Sequence, residues 1–330
     1  MTLKQLVCVL THVTYTIKDK PEDFRVDEVL GHDLQEEGSH LILSVTKRRY
    51  NTEDMIDVLA DHTRYDRHRF NHAGNKDRQA ITTQYVSVKH ASPDAFTELD
   101  LDDITINIAG WADDQLNFGD HAGNAFTIYV KGINEDDVRH RSTFINYFDE
   151  QRFSTQNHLI GKHLVNGAYE AAAKRLQDDD YHGRVINDHL DDHANDYITA
   201  LRQLPDNLLS LFVHAYQSQL WNRCVQRCHE ELDESASFPL LGFGTRPATE
   251  LEKHQINQVK AEEDLTERSF IIRSIPELSV EGTRRDVYKT IDDLAVTKEE
   301  DGVTLSFYLD KGSYATMAVK HLVGDVDPIT

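Results

Sequence analysis

Apolar and polar positions change their period twice along the chain, which divides it into three stretches. Over residues 13–17, 81–88 and 104–109 apolar side chains recur at nearly every second place, the period of a half-buried strand. The run at 40–45 and the segment 121–133 are rich in β-formers and read as strands too, and Lys18-Asp19-Lys20-Pro21 turns the chain into another. A helix interrupts this pattern. Asn51 or Thr52 caps it, Glu53 and Asp54 fill its first turn where the macrodipole favours carboxylates, and it runs to about Asp61. Asn134 heads another, with Glu135, Asp136 and Asp137 in its first turn. From 159 to about 231 the spacing becomes helical, with helices expected at 161–167, 168–176, 185–204 and from 208 onward. A charged helix over 250–268 and a strand at 270–275 follow. Residues 303–322 then return to a strand, a turn at Lys311-Gly312 and a helix capped by Ser313. Sheet-forming ends around a mainly helical middle define an α+β fold with a mixed or antiparallel sheet. The expected divisions are 1–150 and 282–330 for the sheet domain and 151–281 for the helical insertion.

Size and composition narrow the class. At 330 residues the chain can bury a sizeable core. No stretch approaches the ~20 apolar residues of a membrane helix, and the early apolar run 6–10 is too short for a signal-peptide core. Three cysteines without a CxxC spacing suit a reducing cytosol, so a cytoplasmic protein is expected. Cys224, Cys228 and His229 lack the fourth ligand and paired spacing of structural zinc. The acidic run 178–196 lacks the glycine and terminal glutamate of a calcium loop, and reads as solvated surface. No metal site and no nucleotide-binding loop are expected.

Candidate chemistry concentrates in residues 69–88, RFNHAGNKDRQAITTQYVSV. Gly74-Asn75 supplies turn chemistry, because both types tolerate positive φ. Asp77 then sits in a tight turn between two extended segments, flanked by Lys76 and Arg78. Opposite charges nearby favour the ionised carboxyl, which makes Asp77 a candidate nucleophile. The same pattern also fits an Asx-type turn on a solvated loop.

The stretch AGNKDRQAITTQ, 73–84, resembles the signature of the TruD family of tRNA pseudouridine synthases, in which a G-x-K-D segment carries a nucleophilic aspartate. Further stretches match that family in order: PEDFRVDEV at 21–29, GNAF at 123–126, INYFDEQRF at 145–153, LFVHAYQSQLWN at 211–222 and the segment 303–322. The resemblance implies a pseudouridine synthase catalytic domain interrupted by a TruD-type insertion. It implies that Asp77 is the nucleophile and that Lys18 pairs with it. Phe24, Asn124, Phe126 and Tyr314 fall where the family contacts substrate. The implied reaction converts a uridine of tRNA, uridine 13 by resemblance, to pseudouridine, with no cofactor and with the protein acting as a monomer. Arg152, Arg284 and the cluster Lys47-Arg48-Arg49 are weaker phosphate-contact candidates. The third match departs from the pattern, since Asp149 and Ser154 stand where the family has glycine; aspartate enters the left-handed region more readily than most types. The alternative is a catalytically inactive RNA-binding protein on the same fold, and retention of Asp77 and Lys18 argues against it.

Acidity is at odds with a polyanionic partner. The chain has 57 acidic against 35 basic residues, a net charge of −22 and a pI near 5.1. The carboxylates are dispersed rather than confined to a tail, which suits concentrated salt and a halophilic, archaeal source. Near molar salt the screening length falls to about 3 Å, so bulk repulsion matters little. Self-repulsion opposes folding at low salt, whereas cationic RNA contacts weaken as salt rises. Turnover on tRNA across a salt series, with circular dichroism at each point, is therefore expected to peak on the order of molar salt. A folded protein that is most active in dilute buffer would contradict this.

Overall fold

The computed structural model describes residues 6–9, 14–154, 156–177, 181–266 and 268–324. They fall into two compact units, one within Met1–Phe144 and Thr290–Asp325, the other within Ile145–Lys289.

The first unit is built on a ten-stranded mixed sheet. Its strands are β1 (Leu6–Val9), β2 (Thr14–Ile17), β3 (Phe24–Leu30), β4 (His40–Arg48), β5 (Phe70–His72), β6 (Ile81–Lys89), β7 (Ile104–Ala112) and β8 (His121–Lys131). The late strands Asp292–Lys298 and Gly302–Asp310 return to it, the latter antiparallel to β8 along its whole length. β3 and β6 pair in parallel, Arg25 opposite Ile81, while the other registered pairs of this sheet are antiparallel. The helix Thr52–Thr63 starts where expected: Asn51 Oδ1 accepts from the Asp54 amide. Met55, Ile56 and Leu59 from its inner face join Leu41, Leu43, Val45, Val86 and Val88 in one buried cluster. Alternation thus aims every second β4 side chain at this helix, and the row 41, 43, 45 continues to Lys47.

The second unit is mainly helical, around the helix Asp206–Cys228. Gly161 on the helix Asn157–Val165 lies against it so closely that a Cβ would come within 1.9 Å of the Phe212 carbonyl oxygen. Asn222 receives the Phe148 amide at 3.0 Å and donates to its carbonyl at 2.8 Å. Trp221 donates to the Phe238 carbonyl at 3.1 Å and meets the Phe148 ring edge-on at 5.6 Å. The strands Ser237–Leu240 and Thr283–Asp286 pair antiparallel.

Several local expectations are corrected. Asn134 heads only the 3-10 turn Glu135–Asp137. The helix expected over 185–204 breaks into His182–Asp192 and Tyr197–Arg202, because Asn195 turns left-handed (φ +70°) and Asp196 caps the second piece through the Thr199 amide. Residues 270–275 form no strand: Phe270, Ile272 and Ile275 are buried, but on turns in which Ile271 N donates to Arg268 and Ile275 N to Ile272. The cap of the helix Ala315–Val323 is Tyr314, not Ser313. Asp149 is extended (φ −84°) and accepts from the Glu150 amide; Ser154 carries the positive φ, at +46° with ψ −134°.

That last pair generates a test. A side chain at positive φ with strongly negative ψ is strained by about 1–3 kcal/mol, part of which glycine forfeits as unfolded-state entropy. Ser154→Gly is expected to raise unfolding stability by about 1 kcal/mol, and Asp149→Gly to give no gain. Denaturant titration of both variants checks it.

Candidate active site

The segment between β5 and β6 is an eight-residue loop, 73–80, rather than a tight turn. Neither Gly74 nor Asn75 takes positive φ. Gly74 sits in a tight place instead, since a Cβ there would lie 3.3 Å from His121 Cε1. The loop arises from a change of partner along one edge of β6. β3 pairs with Ile81–Thr83 and β5 with Val86–Val88, which leaves Tyr85 between the two ladders. A buried polar group without a partner costs about 1–3 kcal/mol. Glu28, on the inward face of β3, fills the gap: its Oε1 accepts from the Tyr85 amide at 3.1 Å, and its Oε2, itself buried, forms an ion pair with the largely buried Lys76.

On the other side of the loop, Lys47 ends the inward row of β4 and is 1% exposed. Its Nζ donates to the carbonyls of Tyr50 (2.6 Å), Lys76 (3.2 Å) and Asp77 (3.0 Å). An ammonium has three donors, and three acceptors meet it. Burial pushes Lys47 down to about 8, against the pull of the Asp77 carboxylate and with the push of the Lys76 charge. Thr52 Oγ1 accepts the Lys76 amide at 2.8 Å and donates to Gln84 at 2.9 Å. The loop is therefore fixed at 76 and 77 from three strands and a helix start.

Asp77 projects from this brace with its side chain 48% exposed, and Lys18 Nζ reaches its Oδ2 at 3.0 Å. Lys18 stands just past β2 with φ +61°, an unusual conformation for a long side chain. Its ammonium lies 3.9 Å from the centroid of the Phe24 ring, a cation–π contact. Phe24 meets Phe126 edge-on at 6.1 Å, and Phe126 stacks on Phe307 at 5.6 Å. Both Phe24 and Phe126 are buried. Asn124 lies between Glu28 of β3 and Leu309 of the strand Gly302–Asp310, and its Oδ1 is buried without a hydrogen-bond partner. Gly123 beside it leaves room for the Tyr308 hydroxyl, 2.4 Å from where a Cβ would be. Burial and the Lys76 charge push His121 down, which keeps it neutral near pH 7. Tyr314 follows Gly312 (φ +80°) at the start of the Ala315–Val323 helix, and Ser313 Oγ is another buried atom without a partner.

The structure brings Lys18, Phe24, Asp77 and Phe126 into one chain of contacts, with Asn124 on the same strand as Phe126 and Tyr314 beyond the neighbouring strand. Of the basic cluster 47–49 it leaves Arg49 alone exposed. Lys47 is internal and Arg48 pairs with Glu22 and Asp103. Arg284 in the second unit is held by the buried Glu252 and the Ser237 carbonyl. Sequence reasoning missed Glu28, Lys47, Thr52 and Gln84 as builders of the site. A signal existed for the first: Glu28 falls in phase with the inward Phe24 and Val26. Among the described residues no group of three or more His, Cys, Asp or Glu side chains could hold a metal ion. Burial pushes Cys224 up to about 12 and Cys228 up to about 11, so both are thiols rather than thiolates.

The fold has a solved counterpart. The crystal structure of a protein assigned to tRNA pseudouridine synthase D (TruD) from Methanosarcina mazei superposes with a TM-score of 0.75, at 26% identity, over 93% of each chain. The class is thereby a pseudouridine synthase fold, that of RNA-modifying isomerases. Proteins named probable tRNA pseudouridine synthase D from Nanoarchaeum equitans and Methanopyrus kandleri are 27% and 29% identical. The first alignment covers 93% of this chain and 98% of the relative, the second 87% and 86%. The family profile described as tRNA pseudouridine synthase D (TruD) matches residues 4–184, 177–236 and 225–322. The chain belongs to the TruD family.

Lys47→Met leaves three loop carbonyls without their donor and is expected to cost about 2–4 kcal/mol. The pH dependence has a definite sign. Folded Lys47 loses its proton near pH 8, the unfolded lysine near 10.5. Across that window the unfolded chain binds more protons, so this residue's contribution to stability grows as pH rises and is lost as pH falls through 8. The difference in unfolding free energy between parent and Lys47→Met should widen from pH 8 towards 10.5. A gap that does not vary with pH would mean that Lys47 is not buried as a charge.

Proposed function

We propose that this protein converts a uridine of tRNA, uridine 13 by family resemblance, to pseudouridine, with Asp77 as the reacting carboxylate. The observation that carries it is the Lys18–Asp77 contact at 3.0 Å, on a loop braced by Lys47, Lys76 and Glu28. The isomerisation breaks the C1′–N1 glycosidic bond, rotates the uracil and forms a C1′–C5 bond, with no net redox change. Asp77 attacks the ribose or removes a sugar proton; in either role it must be ionised and aimed. Lys18 supplies both through one charge-assisted hydrogen bond. Phe24, Phe126 and Tyr314 provide the aromatic surroundings of the flipped base, whose unstacking costs a few kcal/mol. The unpartnered Asn124 Oδ1 is suited to accept from a uracil N–H.

On this reading the unit within Met1–Phe144 and Thr290–Asp325 is the catalytic domain, and Ile145–Lys289 the TruD-type insertion. On the same reading the protein acts as a monomer, since the proposed chemistry calls on no residue from a second copy. It works in the cytoplasm; no helix among the described residues is long and apolar enough to cross a membrane. The inactive RNA-binding alternative has no use for an aligned carboxylate and ammonium.

Asp77→Asn preserves size and polarity but can serve neither as nucleophile nor as base. It is expected to abolish pseudouridine formation on tRNA while leaving the circular dichroism spectrum unchanged. Substantial residual turnover by the purified variant would remove Asp77 from its role.

A further inference from the structure

The connection between β7 and β8, residues 113–120, is largely exposed, yet it is tied down at several points. Leu116 is buried, and its amide donates to Ser87 Oγ at 2.9 Å. The Asn117 amide donates to Asp120 Oδ2 at 2.6 Å, and the Asp120 amide returns to the Asn117 carbonyl at 3.0 Å. These bonds close a β-turn with Phe118 and Gly119 at its centre, and Gly119 takes the positive φ (+94°) that a type II turn requires there. Gly119 also anchors the turn to the Asp77 loop. Its amide donates to the Ala73 carbonyl at 2.7 Å, while Lys311 Nζ donates to the Gly119 carbonyl at 2.7 Å.

The outcome is a phenyl ring held out from a braced turn. Phe118 is 76% exposed, the highest value among the exposed large hydrophobic side chains of the described residues. It meets the His72 ring edge-on at 6.4 Å, beside the start of the Asp77 loop. Asp113, Asp114 and Asp120 share its connection and outnumber the one ammonium, Lys311, bound to Gly119, so the turn is net acidic and a poor seat for phosphate. What an exposed ring in an acidic turn can still take is the flat, uncharged face of an unpaired base, since stacking is indifferent to sequence and does not rely on cations. Its backbone is already fixed and the side chain has only two χ angles, so covering the ring costs little entropy.

We infer that Phe118 is a stacking platform for an unpaired base that flanks the reacting uridine in the substrate RNA. This rests on the proposed function for the identity of the strand, but the stacking can be read without turnover. Phe118→Ala is expected to raise KM for tRNA on the order of tenfold, with kcat within about twofold and an unchanged melting temperature, since the side chain packs little. Phe118→Trp should keep the parental KM. Its added emission, taken as the difference from the parent that already holds Trp111 and Trp221, should fall on titration with tRNA and with single-stranded oligouridine. The Ala-to-parent KM ratio should persist near molar salt, where phosphate contacts are screened. An unchanged KM in Phe118→Ala, or Phe118→Trp emission that RNA does not alter, overturns the inference. Should the parent convert no uridine in tRNA, the functional reading fails separately and the quenching titration still decides the platform.

Discussion

The site depends on buried charge that satisfies a backbone with no ladder of its own. Residues 73–80 leave the sheet, so their carbonyls and amides must find other partners or remain unpaired at a cost of about 1–3 kcal/mol each. Lys47 provides three donors in one point charge, and Glu28 provides acceptors on both of its oxygens. Burying an ion costs several kcal/mol; the three carbonyls offset part of that for Lys47, and the fall of its pKa to about 8 reflects what remains. The same charges surround the Asp77 carboxylate with Lys18 and Lys47, an environment that favours its ionised form. Fold and electrostatics are here one arrangement.

Much of the first unit was legible because its signals are local. Alternation located β6 and β7, and the Asn51 cap with Glu53 and Asp54 behind it located the helix start. The loop was less legible, since Gly74-Asn75 has the composition of a hairpin turn while its length is set by a remote event, the switch of β6 from β3 to β5. Residues 270–275 failed for the opposite reason: their apolar content is buried as a strand's would be, but turn bonds satisfy the backbone. Lys47 misled because charge alone does not tell which way a side chain points; the phase of β4 does, and it turns Lys47 inward. Lys18 and Asp77 lie 59 positions apart, and nothing local in either segment predicts that they meet. That proximity could be expected only from resemblance to a family.

The matching stretches also divide by physical task. Those of the first unit meet around Asp77. The pair 145–153 and 211–222 in the second unit hold each other through Asn222, Trp221 and the ring of Phe148, over which Arg285 also sits at 4.1 Å. Asp149 and Ser154, where the family resemblance implies glycine, fit this packing role unequally. Asp149 serves as a helix cap, whereas Ser154 holds a conformation better suited to glycine.

Glu28 has one more implication, for anyone who would move this chemistry elsewhere. Its carboxylate is shared between the Lys76 side chain and a main-chain amide of β6. The segment that presents Asp77 is therefore not a portable cassette. Transplanted into another sheet without a glutamate on the facing strand, it would arrive with a buried ammonium lacking its counterion and a strand amide lacking its acceptor. A designer who wished to graft it would have to copy a joint between three strands, not a motif.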